Sequence, residues 1–386
     1  MKVVLFTDTY LPQMNGVVSY LSDSLELLSK KHKLVLFAPG GKKLRIEKKS
    51  KNLKIIWIPS SPFPFYEGYK IASMNYRRVS ELLEKEDPDV VHAHAPVVLG
   101  IQGIIAAKRK GIPVVVTHHT HFPEYVPHLL NGRLPEAFNG LSGYTVKKLI
   151  KFVYEKADVV TAPSQELVKE LRSYGLTNVV HLPNGVKLKR FTTTAKDIAR
   201  FKKKIGPGKK IILYLGRISF EKKLDVLLHA FRMIEEDDRM LLIAGKGPYL
   251  KTLKNLAKAL EIRNIRFVGF LNERDLPAAY GCADIFASPS DTETFGLTFI
   301  EAMHLGTPVI GVSMLGAKEL IKNGKNGLLV EPGNTSDFAA AMERLLKDSR
   351  LRKKLGKNGR ETARRYSLEN SIRRTEEIYR KVSGYT

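Results

Sequence analysis

From His118 to Glu124 the chain places three histidines and a glutamate within seven residues, HHTHFPE, directly after the apolar run GIPVVVT. Residues of these types can hold a metal ion, hydrogen-bond a substrate, or simply line a polar loop. A second group lies in SDTETFGLTFIEAM, where Glu293 precedes Phe295–Gly296 and Glu301 follows eight positions on, inside the next helical pattern. Successive N–H groups of Phe295, Gly296 and Leu297 at a helix start form a cradle for an anion or a sugar hydroxyl. A carboxylate there can accept two adjacent hydroxyls, as from ribose or a hexose. In YLGRISFEKK, Arg217 and Lys222 stand five residues apart at a strand–helix turn, a pair of cations that suits a diphosphate. Asn15–Gly16 precede another helical pattern, where free backbone N–H groups can meet an anion.

The metal reading of the histidines is weak. A strand shows residues i and i+2 on one face and i+1 on the other, so His118, His119 and His121 do not converge, and no acidic or cysteine partner has zinc spacing. His118 and His121 read as structural, as do His92 and His94 of VVHAHAP.

These residues are positioned by short β-like runs that alternate with helical patterns. KVVLFTD, HKLVLFAP, LKIIWIP, DVVHAHAP, IPVVVTH, DVVTAPS and NVVHLPN form a first series; KKIILYLGR, RMLLIAGKG, IRFVGFL, ADIFASPS, TPVIGV and NGLLVEP form a second. Continuous apolar strands separated by helices predict parallel sheets covered on both faces, and two series predict two doubly wound, Rossmann-like α/β domains. We expect domains at 1–187 and 188–368, with a hinge just after Asn184–Gly185, and a helix over 369–386, after a Ser367 cap, that is free to return to the first domain. Ligands of such sheets bind beyond the carboxyl ends of the strands, which is where Asp8–Asn15, His118–His121, Arg217, Gly245–Pro248 and Glu293 fall. Two sheets facing each other would enclose a cleft lined by these loops.

Composition fits a soluble globular chain: 43% hydrophobic and 27% charged, with no apolar run near the roughly 20 residues a membrane helix needs. The start lacks the pattern of a secretory signal, and the single Cys282 suits a reducing cytoplasm as a buried small residue. The 64 Lys+Arg against 39 Asp+Glu give +25, a field that attracts nucleotides, nucleic acid or an anionic membrane surface. Nucleic-acid binding is the non-enzymatic alternative, but the basic residues are scattered and no recognised module is present, so no specific nucleic acid is expected. The first strand also lacks the G-x-G-x-x-G of a nicotinamide enzyme.

The stretch SDTETFGLTFIEAMHLGTPVIG resembles the Glu-x7-Glu signature of retaining glycosyltransferases with the GT-B fold, glycosyltransferase family 4. GRISFEKK is similar to that family's phosphate-binding Arg and Lys, and AGKGP, FVGFL and LPNGV match its other landmarks in order. The resemblance spans nearly the whole chain. It implies that Glu293 contacts the donor sugar near its reacting carbon, that Glu301 holds the nucleotide ribose, and that Arg217 and Lys222 neutralise the diphosphate. It further implies that Gly16 approaches that diphosphate from the other domain, that Thr298 is an extra phosphate donor, and that backbone from Val268 to Leu271 receives the base. Of the two histidines in THHT, His119 is the one placed beside the donor sugar. The family is taken to react by front-face displacement, so neither cofactor nor metal is expected.

PSSPFPFYEGYKIA resembles a segment of the family's diacylglycerol glucosyltransferases, and HHTHFPEYVPHLL, with Tyr125, resembles the acceptor-side loop of lipid-modifying members such as the phosphatidylinositol mannosyltransferases. Lys147, Lys148 and Lys151 in LSGYTVKKLIKFVYEKAD punctuate an apolar helical pattern, as in a membrane-surface helix, and Lys42–Lys54 form a second basic run. The favoured reading is therefore a cytoplasmic enzyme, peripherally bound to the membrane, that transfers a hexose from UDP-glucose to a glycerolipid such as diacylglycerol. A GDP-mannose donor with a lipid or polysaccharide acceptor is the alternative.

Overall fold

The computed structural model describes residues 1–13, 15–63, 69–119, 137–206, 208–235 and 238–385, the side chains of 137–143 excepted. The chain divides into two compact units, Met1–Gly185 with Leu368–Thr386, and Val186–Ser367.

The first unit is built on strands β1 (Lys2–Thr7), β2 (Lys33–Pro39), β3 (Arg45–Lys48), β4 (Leu53–Ile58), β7 (Val90–His94), β8 (Val114–Thr117), β9 (Val159–Ala162) and β10 (Val179–His181). They form one sheet in the order β10-β9-β8-β7-β1-β2-β4-β3, beside a small hairpin of β5 (Ser60–Pro62) and β6 (Lys70–Ala72). Helices α1 (Gly16–Leu28), α2 (Tyr76–Glu86), α3 (Leu99–Arg109), α4 (Ala137–Tyr154) and α5 (Gln165–Ser173) connect the strands. In β1, Val3 to Thr7 are all buried, because a parallel strand between two layers of helices has no solvent side. Every apolar run of the first series forms a strand of this sheet. Within the basic run Lys42–Lys54, the stretch RIEK pairs antiparallel with β4 and closes the sheet edge. Its charged residues blunt an edge that would otherwise expose unpaired backbone.

The second unit has six parallel strands, β11 (Lys210–Leu215), β12 (Arg239–Ala244), β13 (Ile265–Gly269), β14 (Ile285–Ala287), β15 (Val309–Val312) and β16 (Leu328–Val330), in the order β13-β12-β11-β14-β15-β16. Its helices are α6 (Ala195–Ile205), α7 (Leu224–Met233), α8 (Leu250–Ala259), α9 (Asp275–Cys282), α10 (Leu297–Leu305), α11 (Leu315–Leu320), α12 (Thr335–Lys347) and α13 (Ser349–Arg365). Alternate residues of β11 enter separate cores on the two faces, Leu213 in one and Ile212 with Tyr214 in the other.

The last helix, α14 (Leu368–Ser383), belongs to the first unit. Leu368 and Tyr379 are fully buried, and Glu376, also buried, accepts from Lys31 at 3.1 Å and meets His32 at 3.0 Å. Ser371 bonds the Tyr20 hydroxyl at 3.0 Å and donates to the Pro183 carbonyl at 2.9 Å. Burying a large apolar side chain contributes about 1.5–3 kcal/mol, so removing several together costs more than a marginal domain can lose. Deleting 368–386 should lower the thermal midpoint of the first unit by about 10 °C or more. Calorimetry of the truncated chain against the full one checks this, and an unchanged midpoint would contradict it.

Candidate active site

In the second unit the loops after β11 and β14 meet. The Tyr214 hydroxyl donates to the Arg217 carbonyl at 2.9 Å, and the Ile218 N–H donates to the Lys246 carbonyl at 3.0 Å, fixing the turn after β11. Lys222 then ends a single 3₁₀ turn, Phe220–Lys222, and its ammonium pairs with the Glu293 carboxylate. Thr292 donates to the Glu221 carbonyl at 3.4 Å, a second link between the two loops. Sequence spacing had put Arg217 and Lys222 at one turn as paired cations. The structure adds that Lys222 already has a carboxylate partner 71 positions away.

Glu293 is held from its backbone as well. Its carbonyl accepts the Gly316 N–H at 2.8 Å, at the start of α11. A β-carbon on Gly316 would lie 2.4 Å from Phe295 Cα, so only glycine permits this approach. Phe295 is buried, its ring packed edge-on to Tyr366, and therefore offers a ligand its backbone alone. Gly296, at φ +86°, turns the chain into α10 in a conformation that L side chains rarely adopt. The first N–H groups of α10, those of Leu297 and Thr298 among them, have no acceptor one turn back, as at any helix start. One turn further, Glu301 accepts a 2.6 Å hydrogen bond from Tyr280, whose phenol is kept protonated by burial and by the Glu301 charge. Val268 packs on the core at the end of β13, where Gly269 gives its carbonyl to the Gly245 N–H at 2.8 Å. The structure thus brings Lys222, Glu293 and the 295–298 backbone together around one helix start. Tyr280 and Tyr214 were missed, because nothing in the sequence marks a buried tyrosine as the support of a distant loop.

In the first unit, Gly16 is the first residue of α1, and the preceding Asn15 side chain accepts the Val18 N–H at 2.9 Å. Asp8, at the end of β1, accepts the N–H groups of Val97, Val98, Leu99 and Gly100 at 2.7–3.0 Å. Its carboxylate is fully engaged in capping α3. His119 follows β8, and its Nε2 lies 2.9 Å from Nδ1 of His94 on β7. His92 lies on the same face, bonded through Nδ1 to the Tyr379 hydroxyl at 2.6 Å and through Nε2 to Thr117 at 2.7 Å. The reading of His92 and His118 as structural fits these contacts, since His118 Nδ1 meets the Tyr154 hydroxyl at 2.9 Å. His119 is only 3% exposed, so a ligand reaches it only if the groups covering it give way. Thr120, His121 and Tyr125 lie outside the described residues, as does part of the PFPFYEGY segment.

α4 buries Ile150, Val153 and Tyr154, while Tyr144, Leu149 and Phe152 are more than half exposed. Lysines stand among them: Lys148 lies 4.6 Å from the Tyr144 ring centre, Lys156 is 4.2 Å from that of Phe152, and Lys151 is 3.6 Å from Glu155. Lys147 lies over Tyr174 at 5.5 Å. Among the described residues no helix is long and apolar enough to cross a membrane, and no group of three His, Cys, Asp or Glu is placed to hold a metal ion.

Burial pushes His92 down to about 3 and, with the neighbouring rings, holds His94 and His119 well below the usual histidine range. All three are neutral when folded and take up protons near pH 6.5 only when unfolded. Their contribution to stability is therefore complete above about pH 6.5 and is lost as pH falls toward the folded-state values. The thermal midpoint of the first unit should fall between pH 7 and pH 5, before most carboxylates titrate. A flat midpoint across that range in scanning calorimetry would contradict a neutral cluster.

Comparison with known proteins agrees with this architecture. Residues 14–190 match the family Glycosyltransferase Family 4, and residues 195–362 match Glycosyl transferases group 1. The alpha-monoglucosyldiacylglycerol synthase of Streptococcus pneumoniae is 33% identical over 321 residues, covering 80% of this chain and 70% of its own. A GDP-mannose-dependent alpha-mannosyltransferase of Corynebacterium glutamicum is 29% identical over 354 residues, covering 91% and 82%. Among solved structures, sucrose-phosphate synthase from Thermosynechococcus elongatus superposes over the full length of both chains with a TM-score of 0.82 at 21% identity. HepE of Anabaena, solved in complex with UDP and glucose, covers 99% of this chain and all of its own with a TM-score of 0.79 at 18% identity. The chain is a hexosyltransferase of the GT-B fold and belongs to glycosyltransferase family 4.

Proposed function

We propose that this enzyme transfers glucose from UDP-glucose to the hydroxyl of a membrane glycerolipid, diacylglycerol being the simplest, with retention at the anomeric carbon. The observation that carries the lipid acceptor is the outer face of α4, where Tyr144, Leu149 and Phe152 stand exposed among Lys147, Lys148 and Lys151, with Lys156 just beyond the helix end. Such a face sits at a bilayer surface, its rings at headgroup depth and its lysines toward anionic lipid. Similarity to an alpha-monoglucosyldiacylglycerol synthase supports the same acceptor. The enzyme would then work on the cytoplasmic side of the membrane without crossing it. A GDP-mannose donor is the second reading, supported by the similarity to a GDP-mannose-dependent alpha-mannosyltransferase.

In this reading Glu301 accepts the two ribose hydroxyls, held in place by Tyr280. The 295–298 backbone, the Thr298 hydroxyl, Arg217, Lys222 and the Gly16 N–H meet the diphosphate, and backbone at Val268–Leu271 meets the base. The Lys222–Glu293 pair is about one-fifth exposed, so neither charge is readily left without a partner. In this reading the arriving diphosphate supplies Lys222 with a replacement anion, and the Glu293 carboxylate turns to accept hydroxyls of the sugar. Reaction breaks the bond between the anomeric carbon and the phosphate oxygen and forms a bond to the acceptor oxygen on the same face. The acceptor's proton passes to the departing phosphate, and UDP leaves. His119, neutral, hydrogen-bonds the sugar as charge develops on it. None of these steps calls for a metal ion or cofactor.

Labelled UDP-glucose and GDP-mannose, each offered diacylglycerol vesicles in EDTA, test the donor, the acceptor and the independence from metal together. Label from UDP-glucose should enter the organic phase; label from GDP-mannose alone would select the second reading, and nucleotide release without lipid label would remove the lipid. Replacing Glu301 with Ala should weaken UDP-glucose binding roughly ten- to hundred-fold, the worth of hydrogen bonds to a charged group, with the fold intact. Unchanged affinity by titration calorimetry would remove its ribose role.

A further inference from the structure

In the second unit, α13 lies against α10 along a narrow stripe. Leu355, Gly356, Gly359 and Ala363 are buried, at the three- and four-residue spacing of one helical face. A β-carbon on Gly356 would run into the Gly306 carbonyl at the end of α10, so the two backbones touch and the rotation of the helix is set. Arg352 and Arg360 stand at the margins of the stripe: Arg352 reaches Asp284 at 3.6 Å, and Arg360 donates to the Leu305 carbonyl at 2.9 Å. The opposite face is thereby turned to solvent. It carries Arg350, Lys353, Lys354, Lys357, Arg364 and Arg365, all exposed, with Glu361 as its one acid.

Among the described residues, Arg350, Lys353, Lys354, Lys357 and Arg364 form no ion pair. Unpaired lysines occur on other helices too, but α13 concentrates them: eight of its 17 residues are Lys or Arg and one is acidic. Like charges three or four positions apart repel, so the helix keeps this face against its own stability. The field reaches its neighbour, for His304 on α10 is held below the usual histidine range by burial and by the Arg360 and Arg364 charges. The patch also extends sideways. Asn358 donates to the Lys325 carbonyl at 2.7 Å, which sets the loop after α11, with exposed Lys322 and Lys325, beside the helix.

The chemistry of this face selects its partner. α13 exposes no large apolar side chain, so it offers neither the apolar centre of a protein interface nor rings to sink between acyl chains. It has no aromatic ring on which a base could stack, and its one amide, Asn358, is already bonded to Lys325. What remains is a straight row of cations about 25 Å long. Such a row matches the plane of phosphates on an anionic bilayer, where each Lys or Arg near the surface adds to the attraction. We propose that the outer face of α13 is an electrostatic docking surface for an anionic bilayer, which holds the second unit at the headgroups without insertion. The contact belongs to a different unit from α4 and requires no lipid acceptor, so it goes beyond the reading of the reaction.

The test is sedimentation of the full chain with phosphatidylcholine vesicles, with and without phosphatidylglycerol. The wild-type protein should bind the anionic vesicles. Replacing Lys353, Lys357 and Arg364 together by Glu should weaken that binding about ten-fold or more, with the thermal midpoint kept. The three Gln replacements, which leave no new charge to disturb the fold, should give a smaller loss in the same direction. Replacing the exposed Lys251, Lys254 and Lys258 of α8 by Glu makes the same change in net charge. It should leave binding within about two-fold, because exposed charges more than about 10 Å from the surface are largely screened. Undiminished vesicle binding in the α13 variants would overturn the proposal, as would equal loss in the α8 variant. Loss of duplex RNA binding with vesicle binding retained would assign the face to nucleic acid instead. The vesicles contain neither diacylglycerol nor donor, so a failed transfer assay leaves this result standing.

Discussion

A parallel sheet covered on both faces admits little water, so each polar side chain that enters it must find its partner within the protein. This constraint shapes both units. In the first, His92 and Thr117 on neighbouring strands bond each other, and the Tyr379 phenol of α14 bonds the second nitrogen of His92. In the second, the strands are apolar almost throughout, and the polar groups are moved to the loops at their carboxyl ends. There the charged side chains can satisfy one another across loops while remaining within reach of a solvated ligand. The same rule thus yields a rigid buried array in one unit and an exchangeable ion pair in the other.

The contrast bears on how such an enzyme divides its tasks. Lys222 and Glu293 are only partly exposed and neutralise each other until a ligand anion can take the place of the carboxylate. Glu301 is steadied by a phenol from a neighbouring helix, and the backbone between them is set by the close approach of Gly316 to Phe295. Groups that can exchange one charged partner for another are paired by charge, and groups that must keep their geometry are braced by neutral hydrogen bonds or by packing.

Much of this was legible in the sequence. Thirteen apolar runs read as strands are strands, because burial on both faces leaves a continuous apolar signature that tolerates little else. Glu293, Phe295–Thr298 and Glu301 were recognisable because their chemistry lies along one local segment, a loop running into a helix. What escaped were the relations between segments. RIEK is short, charged and half solvated, so its pairing with β4 leaves no apolar trace. The ion pair of Lys222 with Glu293 and the bond of His94 to His119 depend on strand order and register, which single-segment periodicity does not encode. The amphipathic pattern of the last helix says that one face is buried and is silent about what buries it.

That helix has a consequence for how the protein is made. Tyr379 and Glu376 complete the first unit, yet they are synthesised after all of Val186–Ser367. On the ribosome the second unit is a continuous stretch and can fold as soon as it emerges, whereas the first must wait, unfinished, for its final element. During that interval the face of α1 that later receives α14 is uncovered, with Tyr20 lacking Ser371 and His32 lacking Glu376. The order of translation therefore leaves the histidine-bearing unit as the part of the nascent chain most exposed to chaperones and to misassociation, long after its own strands have been synthesised.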